Sequence, residues 1–148
     1  MAVGLDTSLD LLLANMSPRQ RPGEYVFVVE TATSVPDRAV LASVVEPEGR
    51  SIVLTRQEAD NAGLSYDFVA GWITLDVRSA LEAVGLTAAG AGALCETGIS
   101  CNVVAGYHHD HLLVPHERVD DAIHVLMQLM VATAGRAAAP TEGGQAIG

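Results

Sequence analysis

Slid against itself by 60 residues, the chain falls into partial register. Ile52-Val53-Leu54 lies on Leu112-Leu113-Val114, the segment Glu46–Arg50 lies on Gly106–Asp110, and Asp60 and Ala62 lie on Asp120 and Ala122. Each window reads as strand, tight turn, strand and acidic helix. An offset of this kind marks two copies of one supersecondary unit, each needing a neighbour to bury its apolar face. In the second half the order strand, helix, strand, strand, helix is the split βαβ arrangement, a small antiparallel sheet with helices on one face. In the first half the crossover helix shrinks to the region around Val35–Val40.

Local patterns fill in this frame. Leu5, Leu9, Leu12, Leu13 and Met16 form one helical stripe, with Thr7 or Ser8 as its cap. SPRQRPG, with two prolines and a glycine, reads as a linker. EYVFVVE is a buried strand, and AVLASVVE with SIVLT forms a hairpin turning at Pro47–Arg50. RQEADNAG is a short helix stopped by Gly63. DFVAGWITLDV is a long strand in which Gly71 suggests a bulge. A helix starts near Thr87 and stops at Gly98, and CNVVAGY pairs with HLLVP. HERVDDAIHVLMQLMVA is an amphipathic helix with Val119, Ala122, Ile123, Leu126 and Met130 on its buried stripe. The Ala-, Gly- and Pro-rich tail has no periodicity and reads as disordered.

Composition limits what such a chain binds. The net charge is −10 and all eight basic residues are arginine, so nucleic acid and anionic membrane are unfavourable partners. The absence of lysine removes Schiff-base and P-loop chemistry. Cys95 and Cys101 make no CxxC pattern, which fits a reduced, cytoplasmic setting. Asp6 and Asp10 interrupt the leading Leu run, against a signal peptide, and no apolar stretch has the length of a membrane helix.

Two segments are rich in groups that can do chemistry. Gly98–Pro115 carries His108, His109, Asp110 and His111 beside Cys101. On an extended strand His109 and His111 share one side, so they are possible zinc ligands with His116 as a third. Cys101 with a histidine would be a nucleophile and its base. The bland alternative is a solvated hairpin turn, in the repeat position of Pro47–Arg50, and a cysteine packed in the core. The bland alternative is adopted: no metal, no cofactor, no catalytic residue. The second segment, Ser79–Gly90, joins a strand to a helix. Thr87 would cap that helix, and the free amides at Ala88–Gly90 suit a carboxylate. Glu82 and Asp76 are at hand for an ammonium group, which together makes a zwitterion site.

The run from WITLDV through LEAVGLTAA to GISCNVVAGYHHDHLLVP closely resembles the C-terminal half of a bacterial family of small stand-alone tandem ACT-domain proteins. PGEYVFVVE and VVEPEGRSIVLTRQEADNAGL resemble its N-terminal half. The resemblance implies an α+β fold of tandem ferredoxin-like (ACT, βαββαβ) units, with antiparallel sheets and helices packed on one side. It implies an N-terminal unit over residues 1–66, a C-terminal ACT domain over residues 67–133, and a tail over residues 134–148. It also implies amino-acid binding between domains and a homo-oligomer. Carried onto this chain, the ligand loop comprises Ser79, Leu81, Glu82, Val84, Gly85, Leu86 and Thr87. The neighbouring strand contributes Ser100, Cys101, Asn102 and Val103. Ala80, Gly90 and Ala91 depart from the Ser, Phe and Ser that relatives often carry, so the pocket differs in shape.

The function expected is therefore that of a non-enzymatic, cytoplasmic regulatory protein of the ACT type that senses a small ligand, an amino acid. The rival readings are a metal- or thiol-dependent enzyme built on His108–His111 and Cys101, and a structural module whose pocket is vestigial.

Overall fold

The computed structural model describes residues 9–30, 35–77 and 85–137. In chain order the elements are α1 (Leu9–Asn15), β1 (Pro18–Glu30), β2 (Ala42–Glu46), β3 (Gly49–Thr55), α2 (Arg56–Asn61), β4 (Val69–Leu75), α3 (Leu86–Glu96), β5 (Asn102–Ala105), β6 (Asp110–Pro115) and α4 (Val119–Ala137). All six strands form one antiparallel sheet in the order β2-β3-β1-β4-β6-β5.

That order is the repeat made visible. β1, a 3₁₀ turn at Asp37–Ala39, β2, β3, α2 and β4 complete one βαββαβ circuit. β4, α3, β5, β6 and α4 run the same course, and Pro18–Arg21 of β1 supplies the fourth strand beside β4. β1 and β4 thus serve both circuits, and α2 and α4 follow equivalent hairpins. The crossover helix of the first circuit is reduced to the single turn at Asp37–Ala39, as its short sequence allows.

Alternation decides which residues go inward. Val26, Val28, Ile52, Leu54, Ile73, Leu75, Leu112 and Val114 face the helices and are buried. Leu12, Leu13 and Met16 of the α1 region join Leu86, Leu94, Val119, Ala122 and Leu126 over the second circuit. Val35, Ala39 and Ala59 cover the first. Tyr25, Val53, Ala70, Trp72 and Leu113 make a third cluster on the opposite, helix-free face.

Three sequence expectations are corrected. SPRQRPG is not a linker: Pro18–Arg21 pairs with β4. Proline is tolerated there because β3 pairs only from Tyr25 onward, so one edge of this half of β1 needs no donors. The bulge lies in β1 between Arg21 and Tyr25, not at Gly71, which sits opposite it in regular register with Val114. The final helix runs to Ala137, beyond the tail boundary drawn at residue 134. Thr133, fully buried, donates its hydroxyl to the Leu129 carbonyl there. The caps proposed at Thr7 and Ser8, and Leu5, lie outside the described residues.

Candidate functional site

The start of α3 is assembled from four directions. β4 delivers the chain to Asp76 and Val77, where the Asp76 amide bonds the Ser17 carbonyl at 2.8 Å. Gly85 precedes the helix with φ +96°, a left-handed conformation that glycine adopts without a Cβ penalty. Thr87 is therefore not the cap; the chain enters the helix at Gly85, two residues earlier. Thr87 instead donates its hydroxyl to Asp110 Oδ2 at 2.8 Å. This carboxylate stands by the first turn of α3, where the helix dipole favours negative charge. The Gly106 amide closes the β5–β6 turn on the His109 carbonyl, and His109 Nδ1 donates to the Val77 carbonyl at 3.4 Å. The tip of the second hairpin is thereby fastened to the end of β4 and to the start of α3.

Of the expected ligand loop, Ser79, Leu81, Glu82 and Val84 lie outside the described residues. Gly85, Leu86 and Thr87 stand together at the helix start. Leu86 is buried in the core, so it offers a site its backbone only. In the strand quartet, Cys101 packs against the same apolar cluster as Leu86, and Ser100 is exposed. Asn102 pairs with Leu113 and Val103 with Leu112, which sends these two side chains to opposite faces. The quartet does not converge on one point. Asp76 is engaged by Arg19 at 3.7 Å, an exposed pair.

The histidines separate in the same way. Asp110 turns to the helix side, and His111 turns to the helix-free face. There His111 Nδ1 accepts from Trp72 Nε1 at 3.2 Å and lies 3.0 Å from Thr74 Oγ1. The guanidinium of Arg21 lies 5.0 Å from the Trp72 ring centre and 5.6 Å from that of Tyr25. Sequence reading singled out His111 but missed Trp72, Thr74 and Arg21. Their signal was alternation in WITL, which puts Trp72 and Thr74 on the side opposite Ile73 and Leu75. Among the described residues no three His, Cys, Asp or Glu side chains are grouped to hold a metal. Burial raises the Cys101 thiol above its ordinary pKa, which disfavours the nucleophilic thiolate.

Burial also lowers the pKa of His111 below its ordinary 6.5, with His109 and Arg21 adding to the effect and Asp110 opposing it. The unfolded chain, with the ordinary value, takes up the proton first as pH falls. The stability contributed by neutral His111 is thus complete above the ordinary value and is lost as pH falls from there through the folded-state pKa. Urea midpoints at about pH 7.5 and about pH 5.5 should show a smaller pH dependence in His111→Gln than in wild type. An unchanged difference would mean that His111 does not titrate in this way.

An ACT-domain family model matches residues 6–71, and a second ACT-domain model matches residues 67–128. A search of curated proteins returned no match. Among solved structures, a Vibrio cholerae protein of unknown function, described as a possible transport protein, is 43% identical, covering 84% of this chain and 97% of that one with a TM-score of 0.74. An Agrobacterium tumefaciens protein aligns at 18% identity over 78% of this chain and 90% of its own, with a TM-score of 0.61. The regulatory subunit of aspartate kinase from Thermus thermophilus, in ligand-free form, shares the fold at 9% identity over 78% of this chain and 98% of its own, with a TM-score of 0.56. The two domain matches and the one-sheet double circuit agree, and the chain belongs to the ACT-domain family, with two ACT domains in tandem.

Proposed function

We propose that this chain is a non-enzymatic regulatory protein of the ACT type that binds an amino acid beside the start of α3. The observation that carries the reading is the helix start itself. Gly85 brings no side-chain cap to this 11-residue helix, so among the described residues its first amides are left to receive a carboxylate. The proposed ligand-binding residues are Ser79, Leu81, Glu82, Val84, Gly85, Leu86 and Thr87 of the loop, with Ser100, Cys101, Asn102 and Val103 of the neighbouring strand. Glu82 takes the ammonium group. Asp110 is a better second acid than Asp76, because Thr87 occupies only its Oδ2 and Asp76 is paired with Arg19. The two ACT units act together in a homo-oligomer in the cytoplasm. Ligand favours one arrangement of the units over another, and a partner reads the difference. The likeness to aspartate kinase regulatory subunits supports the fold, and membership of the ACT family supports the regulatory role.

A thermal-shift screen against the twenty amino acids tests this. Ligand at 100 times its Kd should add about 2.7 kcal/mol of stability. At least one amino acid should raise Tm in this way. If none does, the amino-acid reading fails and a structural module with a vestigial pocket replaces it.

A further inference from the structure

The helix-free face of the sheet holds a separate cavity of about 490 Å³, within the usual size range of small-molecule sites. Its floor is Phe27, Ala42, Val44 and Val53, and Val104 closes one side. Val104 belongs to β5 and Ala42 and Val44 to β2, the two outer strands of the sheet. The sheet therefore curls until its edges line one hollow. Register explains why the floor is apolar. Phe27 pairs with Val53 and Val53 with Ala42, one transverse row on this face. Val29, Ser51 and Val44 make the next row, and Val29 and Val44 remain 46% and 63% exposed. Apolar surface left open inside a concavity gains free energy when a ligand removes it from water.

Among the described residues the charges at the rim are of one sign: Glu46 and Asp67 line the cavity, and no arginine does. Glu46 already accepts a hydrogen bond from Ser51. Asp67 is exposed and has no hydrogen bond or ion pair among the described residues. The adjacent Tyr66 hydroxyl is taken up by Arg56 and Asp60, so it does not compete for Asp67. A carboxylate ligand would be repelled by Glu46 and Asp67, which separates this cavity from the amino-acid site at α3. We propose that it binds a small primary amine carrying an apolar group, the apolar end between β2 and β5 and the ammonium at Asp67.

Phenethylamine is the probe, and 3-phenylpropionate, similar in size and opposite in charge, is the control. Titration of the full chain, followed by amide chemical shifts, should show phenethylamine perturbing β2, β3 and residues 65–67. The control should bind at least about tenfold more weakly, the difference that about 1.4 kcal/mol makes. Asp67→Asn, at an exposed position, should weaken the amine about threefold. Val44→Trp, also exposed, fills the hollow and should abolish binding at the wild-type Tm; Ala42→Phe does the same from the floor. Equal binding of amine and acid, binding insensitive to Asp67→Asn and Val44→Trp, or no binding because a second copy covers the face would each overturn the proposal. None of these outcomes bears on the amino-acid screen.

Discussion

Gly71→Ala should destabilise the fold by about 2–3 kcal/mol, at the upper end of overpacking costs. Gly71 lies on the helix side of β4, opposite Val114. A Cβ placed there would come within 1.9 Å of Val119 Cγ2 and 3.7 Å of the His116 Cα. Val119 is itself buried at the first residue of α4. The clash cannot be relieved without moving the start of that helix or turning Val119 off its rotamer. Removing the obstacle should remove the cost: in a Val119→Ala background the same change should cost less than about 1 kcal/mol. Urea unfolding of the two single variants and the double variant measures this. An equal cost in both backgrounds would show that Gly71 is needed for some reason other than the approach of Val119.

Trp72→Ala should cost about 3–5 kcal/mol, as large aromatic truncations in cores do. Trp72 is 3% exposed, although it stands on the face of the sheet that carries no helix. Its ring meets Tyr25 edge-on at 5.2 Å, and Arg21 covers it from the solvent side. Its indole N–H is the donor to His111. Trp72→Phe keeps most of the apolar contact and drops the donor, so it should cost about 1–2 kcal/mol. Denaturation midpoints of the two variants separate packing from hydrogen bonding. Similar losses for Ala and Phe would mean that the N–H, not the ring, dominates.

The double unit was legible because its signals are local and repeated. Turn residues at Pro47–Arg50, the Gly63 and Gly98 stops, and the apolar stripe of α4 each have one physical reading. The Gly98 stop is a full Schellman closure, with the Ile99 amide bonding the Leu94 carbonyl at 3.0 Å and the Gly98 amide bonding that of Cys95 at 3.0 Å. What stayed hidden was non-local. PRQRPG looks like a linker because proline and glycine are turn residues. It becomes a strand because β4, some fifty residues away in sequence, supplies its partners on one side only. Thr87 has the chemistry of a cap, and sequence cannot show that Asp110 claims its hydroxyl.

The structure also alters how the ligand site is to be tested. Gly85→Val is not a clean pocket substitution. At φ +96°, with Leu9 Cδ2 only 3.0 Å from where its Cβ would stand, it would strain the backbone and press on α1. Loss of binding would then be confounded with loss of fold. Glu82→Gln changes one charge and keeps the side chain's shape, so it is the better probe.

Calorimetric titration of wild type and Glu82→Gln with the amino acid that gives the largest thermal shift is the most direct measurement. Wild type should bind at one site per chain, and Glu82→Gln should lose about ten- to hundredfold in affinity, the worth of one charge-assisted contact. Equal binding by both proteins, or no heat with wild type, would contradict this assignment.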